Sequence, residues 1–249
     1  MTATTPVRGA LVILEGLDRS GKTTQGQLLA KRLANEQGEG CRRVEVMRFP
    51  DRTTPIGQMI DSYLKSQANM DDHVIHLLFS ANRWEAVKKI KALLESGTTI
   101  VCDRYYYSGM VYSAAKQNPA LSLPWARAPE VGLPRPDLVV FLNLKEDEAK
   151  KRGGWGDEKY EKAEMQRKVR ELFWGLSFGR IPVNGSGSGS RGEGEDSKEW
   201  LFREEEEDLQ VIDASSTVEE VSESIWAVAG KRVAAVERGE VGRAVRHVT

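Results

Sequence analysis

The sequence predicts an α/β fold, a five-stranded parallel sheet with helices on both faces. Three observations carry that expectation. Five short apolar runs, 11–14, 44–47, 99–102, 138–142 and 209–212, are spaced along the chain. Helical periodicity fills intervals between them, and strands that alternate with helices form a parallel sheet covered on both sides. Between the first run and the first helical pattern stands Gly16-Leu17-Asp18-Arg19-Ser20-Gly21-Lys22-Thr23, a G-x-x-x-x-G-K-T loop in the strand–loop–helix setting of a P-loop NTPase.

The first run is apolar throughout, as a strand buried on both faces requires. The helix after the loop carries Leu28, Leu29 and Leu33 at helical spacing and is expected to stop near Gly38 and Gly40. Beyond the second run, Pro55 opens a helix with Ile56, Met59, Ile60, Tyr63 and Leu64 on one side. Asp71 or Asp72 caps a long helix that runs to Leu94 and closes at Gly97. The third run ends at Cys102, which puts Asp103 and Arg104 at the carboxyl end of a strand. The fourth run leads into the basic, glycine-rich segment Lys151-Arg152-Gly153-Gly154-Trp155-Gly156, and a last helix is expected from Thr217 toward Lys231.

Residues 1–249 read as one domain with two exceptions to the pattern. Eight of the ten residues from Gly185 to Gly194 are Gly or Ser, and an acidic run ends the stretch at Asp208. Residues 183–208 are therefore expected to be a flexible insertion, with Trp200, Leu201 and Phe202 as an apolar patch inside it. Residues 235–249, with Arg238, Arg243 and Arg246, read as a flexible, solvated tail.

Lys plus Arg number 36 and Asp plus Glu 37, a formal charge of −1 that draws the chain to neither nucleic acid nor a membrane surface. The two cysteines, Cys41 and Cys102, form no C-x-x-C motif and no disulfide framework, so a reducing compartment is expected. The first ten residues lack the apolar core of a secretory leader, and no run is long enough to span a membrane. The expected location is the cytoplasm, with the nucleus as a second compartment. His73 and His76 lie three apart on the long helix, where packing explains them better than metal binding.

The loop chemistry implies nucleoside triphosphate binding. Its glycines let backbone N–H groups converge on phosphate oxygens, and the helix start adds positive partial charge. Ser20, Gly21 and Thr24 contribute to that cradle, Lys22 would reach the β- and γ-phosphates, and the Thr23 hydroxyl would hold Mg²⁺. Asp18 and Arg19 admit two readings of equal weight. They pair with each other, or Arg19 stabilises the transferring phosphoryl group as an arginine finger supplied in cis.

Asp103 at a strand end could hold the Mg²⁺ water shell, with Arg104 on an acceptor phosphate; an Asp–Arg pair capping the strand and the following helix is the plainer alternative. Arg48 and Arg52 flank Phe49-Pro50-Asp51 and could grip a second anion. Phe79 and Arg83 share a helix face. They suit a base pocket, although Phe79 in the core with Arg83 on the rim is the commoner outcome for such a pair. The Arg152 segment suits a lid over phosphates, or a plain surface loop.

Together these residues resemble the thymidylate kinase family. The resemblance rests on 15–25, on Arg48-Phe49-Pro50-Asp51-Arg52 and on Leu77-Leu78-Phe79-Ser80-Ala81-Asn82-Arg83-Trp84-Glu85. Asp103-Arg104-Tyr105 with Ser108-Gly109, and Gly132-Leu133-Pro134-Arg135-Pro136-Asp137, complete it. It runs from about residue 8 to 180, resumes at 211–215, and is similar to the eukaryotic type with its catalytic arginine in the P-loop. The insertion at 183–208 departs from the compact family pattern. The resemblance implies an ATP- and Mg²⁺-dependent homodimeric kinase that converts dTMP to dTDP. It implies Lys22, Arg19 and Arg104 as catalytic, and Arg52 and Arg104 on the acceptor phosphate. Phe79 would stack on thymine while Arg83 bonds its edge, with Phe49, Ser108 and Tyr160 also in the substrate pocket. Asp18 would meet the 3′-hydroxyl, Tyr112 would exclude a 2′-hydroxyl, and Arg152 would lie against adenine. Another nucleoside monophosphate or deoxynucleoside kinase is the near rival. A P-loop GTPase switch is the distant one, since Asn143-Leu144-Lys145-Glu146-Asp147 has the guanine reader's residue types in the wrong order.

Overall fold

The computed structural model describes residues 7–35, 42–144, 148, 159–160, 162–178 and 202–249. Its single sheet comprises β1 (Leu11–Gly16), β2 (Val44–Arg48), β3 (Thr99–Asp103), β4 (Leu138–Asn143) and β5 (Leu209–Asp213). Their order is β2-β3-β1-β4-β5, and every pairing is parallel. The described helices are α1 (Lys22–Asn35), α2 (Pro55–Leu64), α3 (Asp72–Glu95), α4 (Tyr106–Ala114), α5 (Leu123–Arg127), α6 (Ala163–Ser177), α7 (Arg203–Asp208) and α8 (Val218–Glu237). The α/β class with helices on both faces is as the sequence predicts.

The side-chain alternation of β1 divides the core. Leu11 and Ile13 face a cluster shared with Ile60, Ile75 and Tyr105, while Val12 and Leu14 face Leu29, Leu33, Ile225 and Val233 on the opposite side. Strands β1, β3 and β4 are covered on both faces, which explains the apolar runs 11–14, 100–102 and 138–142 within them. β2 is a half-exposed edge. The helices begin where expected, at Pro55 and after Asp71 and Thr217: Thr54 caps α2 by accepting from the Gly57 N–H, Asp71 caps α3 through the His73 N–H, and Thr217 with Glu220 forms a capping box on α8.

Chain order reverses about β1, so a crevice opens beyond the carboxyl ends of β1 and β3. Register then positions the site. Leu14 pairs with Asp103, and the Arg104 N–H donates to the Leu14 carbonyl over 2.9 Å. The strand-end Asp-Arg is thereby set beside the P-loop.

Two expectations need correcting. The expected tail is packed: residues 245–249 return along the 132–135 segment, where Val248 is 1 % exposed and exchanges backbone hydrogen bonds with Gly132 and Leu133. Arg246 there pairs with Asp208 and Asp137. A strap held by backbone bonds and ion pairs needs no apolar period, so its sequence looks like a tail. The acidic end of the expected insertion is also built in. Phe202 is buried, and Glu205 and Asp208 of α7 are paired with Arg127 and Arg135. Burial raises the pKa of both carboxyls, an effect the arginines oppose. An acidic run reads as solvated until its arginine partners, 73 and 78 residues away, are brought to it. Residues 183–201 and Cys41 lie outside the described residues. No helix among the described residues is long and apolar enough to cross a membrane.

Candidate active site

The P-loop closes over its own lysine. Gly16 and Gly21 have φ of 153° and 93°, and Arg19 between them has 66°, so the loop curls tightly. Lys22 donates to the carbonyls of Gly16 at 3.1 Å and Leu17 at 2.7 Å and is 6 % exposed. Burial, with Arg104 adding to it, lowers the Lys22 pKa to about 8. The Thr23 hydroxyl donates to Asp103 Oδ2 over 2.6 Å, while Asp103 Oδ1 is buried with no hydrogen-bond partner. Arg48 Nε lies 3.9 Å from Asp103 Oδ2.

Two pockets meet here. One is lined by Asp18, Arg19, Ser20, Gly21, Lys22, Thr23, Thr24 and Asp103, and extends to Ser216, Thr217 and Val218 before α8. The other is lined by Phe49, Arg52, Phe79, Arg83, Ser108, Tyr112 and Tyr160. Asp18, Arg48 and Arg104 line both, and so form the wall between them. All the site residues named from sequence except Arg152, which lies outside the described residues, therefore gather at this crevice.

Arg104 organises the shared wall. It has φ of 68°, pairs with Asp18, donates to the Ser108 hydroxyl at 3.0 Å, and lies 5.2 Å over the Tyr112 ring. Burial raises the Asp18 pKa, but Arg104 and Lys22 outweigh it and hold the carboxyl below its usual range. Glu15, fully buried at the base of the loop, accepts from the N–H groups of Tyr105 and Ser108 and from the Ser108 hydroxyl. It fastens the start of α4 to β1. Burial raises its pKa, with Arg104 opposing.

The second pocket is walled by aromatic rings. Tyr160 packs 5.6 Å from Tyr112, and Phe49 lies 5.7 Å from Tyr105. Phe79 is half-buried while Arg83 is 2 % exposed, the reverse of the commoner arrangement for such a pair. Arg52 pairs with Asp61 at 2.6 Å. The segment bearing Arg48, Phe49 and Arg52 includes a cis Phe49–Pro50 peptide, and Asn82 of α3 clasps it. That amide accepts from the Asp51 N–H at 2.8 Å and donates to the Asp51 carbonyl at 3.2 Å.

Sequence reasoning missed Gln166 of α6. Its amide donates to Asp18 Oδ2 at 2.9 Å and to the Tyr160 carbonyl at 2.8 Å, and its oxygen accepts from the Asp18 N–H at 3.3 Å. The apolar positions 165, 169, 172, 173 and 176 could have revealed the helix, but nothing in its sequence marks Gln166 as Asp18's partner.

A family profile described as thymidylate kinase matches residues 14–178. The chain is 43 % identical over 235 residues to the thymidylate kinase of Danio rerio, covering 94 % of this chain and 96 % of that one. It is 45 % identical over 218 residues to that of Schizosaccharomyces pombe, covering 88 % and 90 %. A solved thymidylate kinase from Candida albicans superposes with a TM-score of 0.73 at 32 % identity, covering 97 % of this chain and 99 % of that one.

Proposed function

The chain belongs to the thymidylate kinase family and phosphorylates dTMP at the expense of a nucleotide; from that premise we propose that ATP is the donor, in the P-loop pocket, and that dTMP occupies the aromatic pocket. The observation that carries this reading is the shared wall: Asp18, Arg48 and Arg104 face both compartments, so two phosphates can meet there. Family membership favours neither a different nucleoside kinase nor a GTPase-type switch.

The site suits Mg²⁺. The Thr23 hydroxyl and the unpartnered, buried Asp103 Oδ1 are hard oxygens at the mouth of the loop, and Mg²⁺ is held by one or two such groups together with substrate phosphates. When bound, the ion offsets charge on the transferring phosphoryl group.

The acceptor phosphate is an anion at neutral pH, so no general base is required and catalysis is positioning plus charge neutralisation. Lys22 and the backbone of 20–24 hold the donor phosphates, and Arg19 stabilises the transferring group. Arg104 and Arg52 hold the acceptor phosphate, and Arg104, fixed by Asp18 and Ser108, aims the attacking oxygen. Phe49, Phe79 and Tyr160 enclose thymine, Arg83 bonds its edge, Asp18 meets the 3′-hydroxyl, and Tyr112 crowds the 2′ position. Adenine lies toward 216–218, and the adenine contact is assigned to Arg152 on the strength of the family resemblance alone. The protein forms a homodimer through the exposed apolar side of α3, where Val74 and Leu77 are each about half exposed.

The test is ADP release from purified protein with Mg·ATP and a panel of nucleoside monophosphates. Strong selectivity for dTMP is expected. Turnover of a different monophosphate would refute the pocket assignment, and acceptor-independent hydrolysis would refute the wall as the meeting place of two substrates.

A further inference from the structure

Arg83 does not stand alone in the base pocket. Its Nε donates to Glu130 Oε2 at 2.9 Å and its Nη2 to Oε1 at 2.5 Å, a bidentate pair in which Glu130 is wholly buried. The carboxylate thus takes the Nε/Nη2 edge of the guanidinium and leaves Nη1 as the group to address a ligand. One face of the guanidinium is closed as well. A Cβ on Gly109 would lie 2.7 Å from Nη2 and 3.1 Å from Nη1, so the plane of the fork rests on bare backbone.

Glu130 is itself immobilised. It ends the 3-10 turn Ala128–Glu130, whose Pro129 carbonyl accepts from Trp84 Nε1 at 2.8 Å and Ser80 Oγ at 3.3 Å, both from α3. Just beyond it, Gly132 and Leu133 are held by Val248 of the returning strap. The acid is therefore fixed to α3 on one side and to the strap on the other. A guanidinium neutralised and clamped in this way reads a base by where its remaining donors point.

We propose that Glu130 is a positioning residue for base selection: it fixes the Arg83 fork so that a donor faces a carbonyl on the base edge and confronts, donor to donor, a base carrying an exocyclic amine. This rests on the reading of Arg83 as the residue that bonds the thymine edge. Glu130 touches no substrate and acts only through Arg83.

The experiment measures kcat and KM for dTMP and dCMP, and KM for ATP, in Glu130→Gln, Glu130→Asp and Arg83→Ala. In Glu130→Gln one carboxylate oxygen becomes an NH₂ that faces another donor, so the fork loses half its clamp. KM for dTMP is expected to rise about tenfold and the dTMP/dCMP preference to fall by a similar factor, because a misplaced hydrogen bond weakens discrimination. KM for ATP should stay within about twofold, since the pair lies away from the P-loop pocket, whereas general loosening would move both. Glu130→Asp keeps the charge but retracts it, and should fall between; it decides the matter if the Gln variant does not fold. Wild-type KM and preference in a folded Glu130 variant, with both lost in Arg83→Ala, would overturn the role of Glu130 alone. An Arg83→Ala enzyme with unchanged KM for dTMP would overturn the reading of Arg83 itself. A wild-type dTMP complex in which Glu130 has left Arg83 would also overturn the proposal.

Discussion

Asp18 of the P-loop and Arg104 beyond β3 form an ion pair 86 residues apart in sequence, on the wall common to both pockets. The same guanidinium also bonds Ser108 and lies over Tyr112, so three neighbours use different parts of one planar fork. Lysine offers a point charge on a flexible stem and cannot satisfy all three. Arg104→Lys should lower kcat/KM for dTMP by about 10²-fold while leaving KM for ATP nearly constant. A fall of less than about threefold would show that charge alone suffices there.

Lys22 gives the site a pH dependence. Its pKa falls from 10.5 to about 8 because burial, helped by Arg104, disfavours the ammonium. In the unliganded protein the cost of burying that charge is present in full below pH 8 and is relieved as pH rises from about 8 to 10.5. Relative to Lys22→Met, wild-type stability in urea should therefore climb across that window, by an amount of order 3 kcal/mol. Nucleotide binding should move the other way. Phosphates select the charged lysine, so affinity weakens above pH 8, by at most about tenfold per pH unit. A flat stability difference between the two proteins from pH 8 to 10.5 would remove the depressed lysine from the account.

Arg19 sits at φ of 66°, where alanine itself would be strained by roughly 1 kcal/mol or more. Arg19→Gly is the cleaner deletion because glycine adopts that backbone freely. If Arg19 offsets charge that develops only during transfer, kcat should fall by about 10²–10³ with ATP affinity little changed. Near-normal turnover in single-turnover kinetics would leave Arg19 as a loop-shaping residue.

The parts of this molecule that could be read from sequence are those with a local cause. The runs 11–14, 100–102 and 138–142 within β1, β3 and β4 are apolar without interruption because helices cover both faces, and Asp71 and Thr217 declare helix starts within one turn. The phosphate cradle is legible because Gly16, Gly21, Lys22 and Thr23 must be close in sequence to surround one phosphate chain. Helix α4, by contrast, begins Tyr106-Tyr107-Ser108-Gly109, a weak local helix signal, since aromatic residues favour strands. Glu130, Gln166 and Glu205 were illegible for a different reason. Each is a buried polar group whose partner lies 47, 148 or 78 residues away, and no periodicity carries that distance. The same cause hides the end of the expected tail at 235–249, where Val245 and Val248 pack on the core and the Arg246 ion pairs hold the strap.

Tyr112 is well placed to test sugar selection. It is 8 % exposed and packed between Arg104 at 5.2 Å and Tyr160 at 5.6 Å, so its ring forms part of the pocket wall that a larger sugar would meet. Tyr112→Ala should raise the relative kcat/KM for ribonucleotide acceptors by about tenfold, while Tyr112→Phe keeps the ring and should keep the exclusion. The alanine protein is expected to be less stable by about 3–5 kcal/mol, so both should be assayed well below its unfolding temperature. An unchanged deoxy preference in the alanine variant would mean that another group excludes the 2′-hydroxyl.

Gly109→Ala sets local helix propensity against the packing of the Arg83 fork. In the interior of α4 alanine should favour the helix by roughly 0.5–1 kcal/mol over glycine. Its added Cβ, however, would lie 2.7 Å from Arg83 Nη2 and 3.1 Å from Cζ and Nη1. A free arginine would bend away at little cost. Here Glu130 holds Nε and Nη2, so yielding means breaking a buried bidentate pair or displacing the turn that carries it. The expected variant folds, is less stable by about 1–3 kcal/mol because the overpacking outweighs the helix gain, and shows KM for dTMP raised by about tenfold with KM for ATP unchanged. Wild-type affinity for dTMP would show that the fork can shift and still meet the base, which would put the rigidity of the Arg83–Glu130 pair, rather than its presence, in question.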